Sequence, residues 1–172
     1  MQNLQFIKSL TPDGSSSSLS VTNCFSAQYD TYAVTYHITT DSGSPKDVSL
    51  RLISSADAII TNTNYDYAYY DMGTSGLTEN RAVDQNGFTG ILNATDFPPE
   101  GASGIFYVYK PFSSSHNTHL IAQSANRHNG STNGYKALGI LKETTSITGI
   151  NIFISSTNPT NESNISVYGV LA

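Results

Sequence analysis

Tyrosine and aspartate crowd together in Tyr65-Asp66-Tyr67-Ala68-Tyr69-Tyr70, the segment whose residue types come closest to a chemical signature. Tyr rings stack on sugar faces and carboxylates accept hydrogen bonds from sugar hydroxyls. Tyr65, Tyr67, Tyr69 and Tyr70 therefore form a candidate glycan platform. In an extended chain Tyr65, Tyr67 and Tyr69 share one face, with Asp66, Ala68 and Tyr70 on the other. The competing reading places one Tyr row in a sandwich core or at a subunit interface, where Tyr joins apolar area to a polar tip.

The histidines are His37, His116, His119 and His128. A site using His116, His119 and His128 would need loops to converge without a carboxylate placed to orient the rings, so polar loop residues are expected and no metal ligands. Catalytic signatures are missing as well. The chain has no Gly-x-Ser-x-Gly elbow, no His-Glu-x-x-His and no Gly-rich phosphate loop followed by Lys. Asp66 and Asp71 lie five apart in an extended segment, so they should point to opposite faces and cannot work as an acid pair. The expectation is a non-enzyme with no catalytic residues and no cofactor. The Asn-x-Ser/Thr matches at Asn93, Asn129, Asn161 and Asn164 are what chance gives in so Ser- and Thr-rich a chain.

The elements that carry these residues read as strand after strand. Tyr32, Val34, Tyr36 and Ile38 alternate with polar or small residues and should face inward, and Asp41-Ser42-Gly43-Ser44-Pro45 supplies the turn after them. Val48, Leu50 and Leu52 repeat the pattern, with Ser49 and Arg51 outward. Further strands are expected over 65–70, 87–93, 104–109, 119–124 and 135–141. Ile150, Ile152 and Ile154, then Ile165 and Val167, predict a closing antiparallel hairpin over 147–171 with no tail beyond it. Turns recur every ~8–15 residues and no segment keeps a helical period, so the fold class is all-β, an antiparallel, jelly-roll-like sandwich.

At 172 residues the chain fits one domain. Only 12% of residues are charged, against about 25% in ordinary globular proteins, and Ser, Thr and Asn take their place. A net charge of −5 without a Lys/Arg cluster argues against nucleic acid, and no apolar stretch is long enough for membrane insertion. The first residues lack a secretory signal pattern. The single cysteine, Cys24, is expected as a small buried side chain. Thr11-Pro12-Asp13-Gly14 and Ser15 to Ser18 read as a flexible joint. They part a domain over 19–172 from an N-terminal arm, with 1–18 as a candidate attachment element. Leu4, Phe6, Ile7 and Leu10 make this arm too apolar for a free tail, so it should dock either on its own domain or on a neighbour as an assembly arm.

Two landmarks then combine. Phe25-Ser26-Ala27-Gln28-Tyr29-Asp30-Thr31-Tyr32 leads into the first long strand, followed by Leu50-Arg51-Leu52. At the far end stand Ile147-Thr148-Gly149-Ile150, Ser155-Ser156 and Val167-Tyr168-Gly169-Val170. This order resembles a β-sandwich family of tailed bacteriophages, especially marine and cyanobacterial ones, found in virion structural proteins and distal tail-fibre domains. The likeness runs from Leu19 to Leu171 and rests on order and spacing, since each motif is short. It implies a virion location after synthesis in the host cytoplasm, as a tail or tail-fibre-associated or capsid decoration subunit. It also implies partners among other virion proteins, a homo-oligomer with a trimer favoured, and no catalytic residues. A host surface glycan is the alternative partner. Physically, Asp30 is placed to cap the start of its strand through its carboxylate, and Gly149 and Gly169 inside strands should mark a bulge or a close backbone approach.

Overall fold

The computed structural model describes residues 3–74, 76–95, 98–128 and 130–171. Twelve strands are defined among them: β1 Leu4–Leu10, β2 Ser18–Val21, β3 Thr31–Ile38, β4 Lys46–Ser54, β5 Tyr65–Gly73, β6 Gly76–Gln85, β7 Ala94–Thr95, β8 Gly101–Tyr109, β9 Thr118–His128, β10 Ser131–Leu141, β11 Ile147–Ile154 and β12 Asn164–Val170. They form an antiparallel sandwich. The larger sheet has eight strands in the order β1-β12-β3-β8-β9-β10-β5-β6, and the smaller has four in the order β2-β11-β4-β7. The chain alternates between sheets from β1 through β4, and again from β7 to β8 and from β11 to β12. The hairpins β5–β6 and β9–β10 both extend the larger sheet past β8.

The core fills the space between the sheets, as the alternation predicts. Tyr32, Val34, Tyr36 and Ile38 of β3 meet Val48, Leu50 and Leu52 of β4 and Ile150, Ile152 and Ile154 of β11 in one buried cluster. Burying this aliphatic and aromatic area is the main force holding the sheets together. Cys24 is buried among these groups as expected, and loss of solvation pushes its thiol up to about 12.

The structure departs from the sequence expectations at some points and decides between them at another. The closing hairpin is not one. β11 pairs with β2 and β4 while β12 pairs with β1 and β3, in the opposite sheet. The apolar alternation is the same in either arrangement, because it fixes which face of a strand is buried and not which strand lies beside it. Residues 87–93 are irregular, with Phe88 alone bridging to Leu50. Positive φ at Gly90 (73°) and Asn93 (74°) bends this segment over the interior, and its apolar residues Phe88, Ile91 and Leu92 are buried without forming a strand. The pattern missed β6, an edge strand exposed along most of its length.

Finally, residues 4–10 dock on their own domain, as the outermost strand of the larger sheet against β12. Ile7 and Leu10 pack on the core while Leu4 and Phe6 stay exposed. The segment expected as a flexible joint carries the chain across to the smaller sheet. It turns where the Ser15 amide donates to Asp13 Oδ1 (2.9 Å), and Asn158 Nδ2 donates to the Gly14 carbonyl (2.9 Å).

Candidate functional site

The Tyr row is divided by the sheet. Tyr65 is 0% exposed. Its hydroxyl accepts from the Leu52 amide (3.1 Å) and donates to the Ile60 carbonyl (3.1 Å), so this residue ties the larger sheet to the smaller. Tyr67 and Tyr69 are half-buried on the same inner face and stack on each other at 6.4 Å. Tyr69 stacks in turn on Tyr135 of β10 at 5.0 Å, with the rings 14° from parallel. Nothing in the sequence marks Tyr135 as a partner of Tyr69. Their diagonal register follows only once β10 pairs with β5. Burial, then the neighbouring Asp71 carboxylate, raises the Tyr135 hydroxyl above its ordinary range. Because these rings turn their faces to one another, they offer a sugar little to stack on. Of the four, Tyr70 is the one on the opposite face, 48% exposed.

Asp66 and Asp71 do fall on opposite faces. Asp66 is outward, where Lys142 lies 2.8 Å away and holds its carboxyl below the usual carboxylate range. Asp71 points inward beside Tyr135. Of the histidines, His37 bonds Ser103 Oγ (2.8 Å), His116 sits among loop serines and His119 is exposed on β9. Asn129 and the His128 side chain lie outside the described residues. No three His, Cys, Asp or Glu side chains gather as metal ligands among the described residues.

The surface that departs from expectation is the outward face of the larger sheet. An antiparallel sheet with one wet face normally turns polar residues to solvent. Here the cross-strand register aligns Ala68, Leu138, Ile121, Tyr107, Ala33, Tyr168 and Phe6 in one row from β5 to β1. Leu138 is 55% exposed and Ile121 44%, and Phe6 meets Tyr168 edge-on at 5.8 Å. Tyr70, Met72 and Leu77 extend the apolar surface toward β6 and are exposed too. A groove of about 420 Å³ crosses it between Ala68, Tyr70, Ile121 and Leu138, with Glu79 and Lys136 at its margin.

The outward face of the smaller sheet is different in kind. Its side chains satisfy one another. Asn151 Nδ2 donates to Ser18 Oγ (2.8 Å) and Ser20 Oγ (3.0 Å). Arg51 lies over the Phe153 ring at 4.3 Å and donates from Nε to the Asn86 carbonyl (2.9 Å). The signal for the apolar face was present in the sequence: Ile105 to Tyr109, Leu120 to Ala122 and Ala137 to Leu141 are continuous apolar runs. Such runs mark strands covered on both faces.

The motifs noted at the two ends of the chain meet in space. The Cys24 and Phe25 amides donate to the Thr148 carbonyl (2.8 and 3.1 Å). Tyr32 Oη accepts from the Ser26 amide (2.8 Å) and donates to the Ser26 carbonyl (2.9 Å), closing the loop between them. Gly149 marks the close backbone approach expected of it, whereas Gly169 makes room for an aromatic side chain. A Cβ at Gly149 would lie 2.5 Å from the Val21 carbonyl oxygen, and one at Gly169 would lie 2.5 Å from the Tyr29 ring. Asp30 works differently from expectation. Its carboxylate pairs with Lys110 (2.6 Å) and its carbonyl accepts from the Lys110 amide (2.7 Å), joining the start of β3 to the end of β8. No family model, curated protein or solved structure matches this chain.

Proposed function

We propose that the protein is a non-enzymatic structural subunit of a bacteriophage virion, tail or tail-fibre-associated or a capsid decoration protein, acting through protein-protein assembly. The observation that carries the assembly part is the apolar outward face of the larger sheet. Exposed Leu138, Ile121, Phe6 and Tyr70 lie on one surface, and contiguous exposed apolar area of that kind marks interaction sites in soluble proteins. The bacteriophage part rests on the ordered motifs from Phe25 to Gly169, whose packing against one another gives them a shared structural role. The winding supports it by analogy. β1-β12-β3-β8 facing β2-β11-β4-β7 is the strand order expected of a jelly roll, an architecture common in viral capsid and lectin domains.

Glycan binding is the weaker alternative. It is supported by the lectin analogy and by Tyr70 beside Glu79 and Lys136 in the outward groove, but the other three tyrosines of the platform are packed. Mass spectrometry of purified particles tests the proposal. The protein is expected in washed particles at a fixed copy number, in the hundreds for a decoration subunit and a few dozen or fewer for a tail subunit. Its presence only in infected-cell extract would overturn the reading.

A further inference from the structure

We infer that the outward face of the larger sheet is covered by the same face of a second copy of this chain, as a two-fold pair. The inference rests on the assembly reading above and names its first partner. The alternative contact, edge to edge, is obstructed at both ends of the sheet. β1 carries Lys8 and a register shift between Phe6 and Lys8. β6 shifts register against β5 between Tyr65 and Tyr67 and carries the exposed, charged Asp84 at that irregularity. Charged and bulged edges are how sheets avoid strand addition.

The face itself is large enough. Eight strands set ~4.8 Å apart, crossed by four outward rows at ~6.8 Å, span roughly 700 Å² per copy. Two such faces together make roughly 1,400 Å², inside the roughly 1,200–2,000 Å² that stable associations bury. Charge does not oppose the contact. Glu79 and Lys136 both neighbour Tyr70 across the strands and Arg81 stands opposite Ala68, so the patch carries both signs and a second copy meets no field of one sign. Symmetry favours two copies over a ring. A two-fold contact uses one surface against itself, whereas a closed ring needs two different complementary surfaces. The outward face of the smaller sheet, with its hydroxyls and amides already paired, is not a second apolar surface.

Sedimentation equilibrium of the full chain at 1–100 µM, read alongside far-UV circular dichroism, decides the matter. Wild type should sediment at twice the chain mass. Leu138→Arg and Ile121→Arg, each at a position already half exposed, should sediment at the chain mass with an unchanged spectrum. Ser20→Arg, on the opposite outer face, should remain paired. Should an arginine variant misfold, Leu138→Ser tests the same contact more gently and should weaken pairing at least tenfold. Wild type at one chain mass, wild type at three, or arginine variants that stay paired would each overturn the inference. A monomeric protein still found in washed particles would overturn the pair and leave the virion reading standing. A paired protein absent from particles would do the reverse.

Discussion

Tyr65 shows what a buried hydroxyl contributes in a sandwich otherwise joined by apolar contact. Its oxygen takes the Leu52 amide proton from β4 and gives its own proton to the Ile60 carbonyl, both at 3.1 Å. Tyr65→Phe keeps the ring against Phe88, 4.8 Å away, but removes both bonds. Leaving a buried donor without its partner costs about 1–3 kcal/mol, so chemical denaturation should show a loss of that size. Tyr70→Phe, at an exposed position of the same strand, should stay within about 0.5 kcal/mol. Equal losses at the two positions would contradict the division of the row into a core tyrosine and a surface one.

At the scale of elements, the ordered motifs behave as one packing unit. The loop from Cys24 to Tyr32 hangs on the Thr148 carbonyl and sets the Tyr29 ring on Gly169, while Val21 and Thr22 just before it lie over Gly149. Gly149→Ala would drive a methyl into backbone, the Val21 carbonyl oxygen at 2.5 Å and the Thr22 Cα at 3.1 Å. Overpacking of this kind costs typically about 1–3 kcal/mol. Gly43→Ala, with nothing within 4 Å of the new atom, is the control and should be near neutral in the same urea melts. The close backbone approach at Gly149 was legible in the sequence, because a glycine inside a β-branched run gives up side-chain packing that only a close neighbour offsets. At Gly169 the neighbour is the Tyr29 ring instead, which nothing in the sequence marks. The inward row of β3 was legible too. Strand partners were not, since residues 147–154 and 164–170 bury the same faces whether they pair or oppose. β6 escaped because an exposed edge strand needs no apolar side to be held by backbone bonds. The outward face was legible only as apolar runs that one sandwich cannot bury on both sides. Its continuity from β5 to β1 depends on strand order, which alternation along a single strand does not encode.

At the scale of the whole molecule, few charges and one apolar face define how the pair should respond to solution conditions. The chain carries a net charge of −5 with 12% charged residues, so general repulsion between copies is weak. It is also screened over ~8–10 Å at ordinary ionic strength. A contact built on Leu138, Ile121, Tyr107 and Phe6 draws its free energy from apolar area removed from water, which weakens on cooling and carries a negative heat-capacity change. A contact built on ion pairs would loosen steeply with salt. The dissociation constant of the pair, followed by sedimentation from 50 mM to 1 M NaCl, should therefore change less than about threefold. Isothermal dilution between 5 and 35 °C should show the association enthalpy becoming more negative with temperature. A tenfold or greater weakening across that salt range would mean that Glu79, Lys136 and their neighbours, rather than the apolar row, hold the copies together.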